Sequence, residues 1–120
     1  MSSLLVHVTS GQEAPTRAAL AFLVARTAQA QGHDVELFLA GDGVTAVRRE
    51  VRDALNGVGT GSLAEHWDAL VAGGAPVWCS KASCAARGIA AAALDGTTAQ
   101  LAPPEKLVEL AMRCDRVLTY

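Results

Sequence analysis

The chain has 120 residues, about half of them hydrophobic and few of them aromatic, with a formal charge of −2. That is enough chain for one core and not for two, so a single domain over residues 1–120 is expected. The mildly acidic balance excludes nucleic acid as the main partner, which would need a basic face, and no apolar run approaches the length of a membrane span.

The N-terminus runs from Met1-Ser2-Ser3 straight into Leu4-Leu5-Val6 with no basic leader. A cytoplasmic location is therefore expected. In that reducing setting the three cysteines are expected to be free, buried or catalytic rather than bridged.

Leu4 to Thr9 reads as a strand, followed by a loop at Ser10-Gly11-Gln12-Glu13. A helix is expected from Thr16 to about Gln31, with Pro15 pre-set for its first turn and Gly32 as its stop. Its apolar residues (Ala18, Leu20, Phe22, Leu23, Val24, Ala28) go nearly all the way round, which predicts a largely covered helix. Val35 to Leu39 is the second strand, ending in a turn at Ala40-Gly41-Asp42-Gly43. Val44, Val47, Val51 and Leu55 then recur at helical spacing. Arg48, Arg49 and Arg52 on that helix read as a solvated face rather than a phosphate-binding patch.

A glycine-rich loop, Gly57 to Gly61, leads into Ser62 and Glu65, the two ends of a capping box. The helix that follows is expected to bury Leu63, Trp67, Leu70 and Val71 and to end at Gly73-Gly74. Pro76 to Cys79 reads as a short, central, buried strand that breaks directly into a helix. Ser80 is a suitable N-cap and Arg87-Gly88 a suitable stop. Ile89 to Leu94 is expected to be a weak strand, with a turn at Asp95-Gly96. Pro103-Pro104 opens the last helix, Glu105 to Arg113, and Arg116 to Thr119 closes the sheet. Alternating strands and helices predict an α/β fold, with a mostly parallel sheet and helices on both faces.

Chemistry concentrates at Cys79. It is placed at a strand's carboxyl edge beside a helix start, and in open α/β sheets that edge binds ligands. The helix start favours a thiolate, the reactive form, and Lys81 and Arg87 would act in the same direction. Position alone leaves a reactive thiol and a small buried hydrophobe both open. Cys84 is a second thiol nearby; a disulfide between the two would require Cys79 to lie outside the helix. Cys114 lines up with Leu107, Leu110 and Ala111 and reads as core. His7, His33 and His66 are too dispersed for a metal set, and no cofactor is expected. The Gly57–Gly61 loop with Ser62 could cradle an anion or simply join two helices. Asp42-Gly43 is a turn that also falls on the ligand edge. Trp67 is expected in the core and Trp78 is a candidate for a subunit contact.

Several stretches together resemble the DsrE/DsrF-like family. They are Val6 to Gly11, Pro15 to Phe22, Gly32 to Val35, Phe38 to Val44, Gly59 to Ser62, His66 to Leu70 and Ala86 to Gly88. The resemblance implies a small three-layer α/β/α sandwich with a five-stranded, mostly parallel sheet, assembled as a homo-oligomer, either trimer or hexamer. Members of this family belong to sulfur relay and sulfur oxidation, and many carry only a peroxiredoxin-like label. In the relay members a cysteine after the central strand carries persulfide sulfur, and the matching position here is Cys79. The resemblance thus implies a cytoplasmic persulfide carrier or sulfurtransferase acting through Cys79, with Ser80, Lys81 and Arg87 in support and with protein donors and acceptors of sulfur. The alternative is a non-catalytic oligomeric module. It would bind a small anionic or nucleotide-like ligand near Ser10, Gly11, Asp42, Gly43, Gly59, Thr60, Gly61 and Ser62.

Overall fold

The computed structural model describes residues 1–120. In chain order it contains β1 (Ser3–Val8), α1 (Pro15–Ala30), β2 (Asp34–Leu39), a 3-10 turn (Gly41–Val47) and α2 (Arg49–Ala54). The two-residue strands β3 (Asn56–Gly57) and β4 (Gly61–Ser62) follow, then α3 (Leu63–Ala72), β5 (Val77–Ser80) and α4 (Lys81–Ala86). A second 3-10 turn (Ala91–Leu94), β6 (Ala99–Ala102), α5 (Pro104–Arg113) and β7 (Arg116–Thr119) complete the chain. Five strands form one parallel sheet in the order β6-β5-β2-β1-β7. No helix is long and apolar enough to cross a membrane.

The strand order decides where the helices go. The chain steps from β1 to β2 to β5 to β6 in one direction across the sheet. Right-handed crossovers taken in one direction all fall on one face. That face carries Val6, Val8, Leu37, Leu39, Val77 and Cys79, and it packs against α1, α3 and Cys84 of α4 in a core of 24 buried residues. The return from β6 to β7 runs the opposite way, so α5 covers the other face, where Leu110 and Cys114 meet Leu5, Phe38 and Ala102. Helices thus lie on both faces, as the alternation predicts, but very unequally.

Alanine makes the crowded face possible. Ala18, Ala19, Ala21 and Ala25 of α1 are fully buried beside Phe22, so the helix backbone lies close to the sheet. Leu20, Leu23 and Val24 on its flanks are half-buried. On the thinly covered face, polar contacts hold α5. Arg113 is paired with Glu36, Glu36 also accepts from the Trp78 indole at 3.2 Å, and the Lys106 ammonium lies 4.3 Å from the Trp78 ring centroid.

Three local expectations are corrected. The strand expected at Ile89–Leu94 forms instead at Ala99–Ala102, and residues 91–94 are a 3-10 turn. Only Ile89 and Leu94 of that stretch are buried while the alanines between them are exposed, so it lacks the alternation a half-buried strand needs. The helix expected from Val44 onward is split, because Arg48 takes an extended conformation (ψ 122°) between the 3-10 turn and α2. The central strand is β2; β5 stands between it and the edge strand β6.

Gly43 is where the turn after β2 meets the end of β1. A Cβ there would lie 2.2 Å from the Val8 carbonyl oxygen, which is backbone and cannot swing away. Gly43→Ala should therefore lower the free energy of unfolding by about 1–3 kcal/mol through overpacking, read as a reduced urea midpoint with an unchanged slope.

Candidate functional site

The Cys79 environment is built by β5 and α4. Ser80 caps α4 as the sequence predicts, its hydroxyl accepting from the Ser83 N–H at 3.1 Å. Cys79 lies one residue before that cap, in register with Leu39 of β2 and Leu101 of β6. Its side chain points into the larger core and has no solvent exposure.

This burial reverses the expected electrostatics. The Cys79 thiol is pushed up from 9.0 to about 12, first by loss of water and second by the neighbouring Cys84. Lys81 stays in solvent. The Arg87 guanidinium is committed elsewhere: its Nε and Nη2 donate to Asp42 Oδ1 at 3.1 and 3.0 Å, and its Nη1 to the Ser83 carbonyl at 3.2 Å. Cys84, only 1% exposed, feels cations where Cys79 does not; burial pushes it up while Arg87 and Arg48 pull it down. The expectation that Ser80, Lys81 and Arg87 lower the pKa of Cys79 is therefore corrected. A cap hydroxyl, a solvated ammonium and an already paired guanidinium do not offset removal from water. All three cysteines are free thiols.

The structure brings some of the predicted ligand-edge residues together as packed backbone. A Cβ on Gly11 would fall 2.3 Å from the Asp42 carbonyl oxygen. Ser10 is buried, the Gly11 N–H donates to the Glu13 carboxylate, and the Asp42 carbonyl accepts from Thr45 Oγ1 at 2.7 Å. The Gly41 N–H donates to Ser83 Oγ at 2.9 Å, so the start of α4 is clamped to this turn. Gly59, Thr60, Gly61 and Ser62 lie elsewhere, in a hairpin against α1. There Val58 N–H donates to Thr16 Oγ1, Thr60 O contacts His66 Nε2 at 2.8 Å, and Ser62 Oγ caps α3 through the Glu65 N–H. In this hairpin the polar groups of Thr60 and Ser62 are spent on structure.

The histidines have separate surroundings. His7 packs edge-on to Phe38, its Nε2 is buried without a partner, and burial lowers its pKa. His33 Nδ1 accepts from the Ser2 N–H. His66 is held between Arg26 and Thr60. No three His, Cys, Asp or Glu side chains converge as a metal set.

One feature escapes sequence reasoning. A cavity of about 720 Å³ opens where the first turn of α1 faces the end of β7. Pro15, Leu20 and Tyr120 give it an apolar wall, and Thr16, Arg17 and Thr119 give it polar groups. It lies at the carboxyl edge of the parallel sheet, where Thr9 donates to the Tyr120 oxygen through both its N–H and its hydroxyl, at 2.7 and 2.8 Å. The residues that meet here are about a hundred positions apart in sequence, so no local pattern marks the site.

Comparison with known proteins agrees with this architecture. The structure is similar to the crystal structure of the YchN protein from E. coli, with a TM-score of 0.84, 22% identity, and the whole of both chains covered. It is also similar to a conserved protein of unknown function from Bacteroides thetaiotaomicron, with a TM-score of 0.74 and 13% identity, covering 99% of this chain and 95% of that one. No curated protein sequence matches at a significant level. The sequence model of the DsrE/DsrF-like family matches residues 2–120, and the chain belongs to that family.

Proposed function

We propose that this chain is a non-catalytic binding subunit within the sulfur-relay setting of its family, taking a small ligand at the carboxyl edge of the sheet. The observation that carries this reading is the 720 Å³ cavity between α1 and β7. Its mixed lining suits a molecule with an apolar or aromatic body and one anionic group. Tyr120 and Leu20 would take the body, and the Arg17 guanidinium would take the charge. The cavity is open, whereas Cys79 on the same edge is sealed.

A homo-oligomer, trimer or hexamer, belongs to the same reading. The family resemblance supports it, and the exposed Val108, Met112 and Val117 offer apolar surface for copies to share. A cytoplasmic location suits three unbridged thiols.

One observation favours a second reading, persulfide carriage at Cys79. The chain leaves β5 through α4 toward one face of the sheet and leaves β6 through α5 toward the other. Adjacent strands with such divergent exits mark the crevice where open α/β sheets bind ligands. Cys79 would then attack a donor protein's persulfide as a thiolate, take its outer sulfur and release the donor thiolate, and later pass that sulfur to an acceptor thiol. This requires Cys79, which has no solvent exposure in the folded chain, to become accessible.

Intact mass measurement with a persulfide donor separates the two readings. The binding reading expects no added sulfur on the native protein. A 32 Da adduct on native protein that disappears in Cys79→Ala would transfer the assignment to the second reading. Native mass spectrometry of the purified protein should also show a bound small molecule, lost or weakened about tenfold in Arg17→Ala, the loss expected when one charge-assisted contact is removed.

The buried thiol also makes a pH prediction. Unfolded, Cys79 ionises near its ordinary 9.0; folded, it stays neutral to about 12. The folded state therefore binds the extra proton in that window, and stability, full below pH 9, should fall as pH rises from 9 to 12. In Cys79→Ala the alkaline slope of the unfolding free energy should be shallower by about 1.4 kcal/mol per pH unit.

A further inference from the structure

Arg52 is a cation in an unusual position. It lies on α2 with only 8% of its surface exposed, although the sequence pattern places it on a solvated face. Its guanidinium stacks on Trp67, 4.5 Å from the ring centroid. Nη1 donates to the carbonyls of Ala46 and Val47 at 2.8 and 3.1 Å, at the end of the 3-10 turn. These contacts fix the plane of the fork and use one of its three nitrogens. No carboxylate lies within ion-pair distance of Arg52; the nearby Asp53 is paired with Arg49 at 3.7 Å. Nε and Nη2 make no hydrogen bond within the protein.

Arg52 lines a cleft of about 180 Å³ between α2, α3 and the loop before β6. Arg49, Thr98, Asp53 and Asp68 also line it, so two carboxylates share the wall with two guanidiniums. Nε and Nη2 are not sealed from solvent, since the one buried side-chain polar atom without a partner is His7 Nε2; they are open to an acceptor from outside the protein. Desolvation lowers the Arg52 pKa, and Asp53 and Asp68 offset that only in part. The volume admits a tetrahedral oxyanion with a few waters, each about 30 Å³.

We propose that this cleft is a binding site for a small tetrahedral oxyanion, phosphate or sulfate in size, held by the outward N–H donors of Arg52 in a fork pre-set by Trp67. Two N–H groups of one guanidinium can grip two oxygens of such an anion. Thr98 also lines the cleft and would offer its hydroxyl to the same anion. The anion can be free or can be one group of a larger molecule. This site is separate from the cavity at Arg17 and does not depend on it.

Trp67 reports on its own site, because the chain has two tryptophans and Trp78 lies on the other face of the sheet. In a Trp78→Phe background, Trp67 emission is followed during titration with sodium phosphate at constant ionic strength, with sodium chloride as control. A saturable change with phosphate and none with chloride is expected. Arg52→Lys should weaken it at least about tenfold, the cost of losing a charge-assisted bidentate contact. Asp68→Asn, an exposed change that leaves packing intact, should tighten it several-fold by removing a like charge. Arg17→Ala should leave it unchanged, so this proposal can fail while the α1–β7 site stands, and the reverse. Adenosine monophosphate run in parallel identifies the source: equal affinity marks a site for the free ion, and tighter binding marks one group of a larger ligand. A non-saturable response shared with chloride, or no tightening in Asp68→Asn, would overturn the proposal.

Discussion

The structure depends on covering one face of a parallel sheet with three crossovers at once. The chain takes three consecutive steps in the same direction, and their helices must share that face. They fit because the surface that α1 turns to the sheet is largely alanine and because the turn after β2 closes onto β1 through glycine. The opposite face has α5 alone, held by one buried leucine and by an ion pair and a cation–π contact at Glu36 and Trp78. The fold is therefore tight on one side and sparse on the other.

That tightness decides the chemistry of Cys79. A helix start favours a nearby anion by about 0.3–1 kcal/mol. The rise from 9.0 to about 12 corresponds to roughly 4 kcal/mol against the thiolate. Desolvation wins by several-fold, and the cations that could have intervened are held by Asp42 or stand in water. The same position that looks reactive in sequence is, in the folded chain, part of the core. What stays open on the carboxyl edge is the space between α1 and β7, at the opposite side of the sheet from β5.

Arg52 follows the converse logic. Here the core admits a charge, and it does so on a flat aromatic support with two carbonyls fixing the guanidinium. Arginine suits such a position better than lysine, because its delocalised charge is weakly hydrated and its donors are rigidly spaced. Arg52 is buried on a short α2 that begins after the extended Arg48.

The sequence by itself determined the α/β class, most strand and helix positions, the Ser62 and Ser80 caps, and the burial of Trp67, Leu70, Leu110 and Cys114. These follow from periodicity, capping chemistry and hydrophobicity, which act over a few residues. The resemblance in seven short stretches also sufficed to place the chain in its family. Tertiary structure alone decided the rest. Strand order set which helices share a face, and so which strand end is sealed. The fourth sheet strand moved from Ile89–Leu94 to Ala99–Ala102 because pairing and burial, not propensity, select an edge strand. Whether a thiol ionises and whether an arginine meets water depend on what lies within a few ångströms in space. Residues far apart in the chain supply that environment, and no local pattern encodes it.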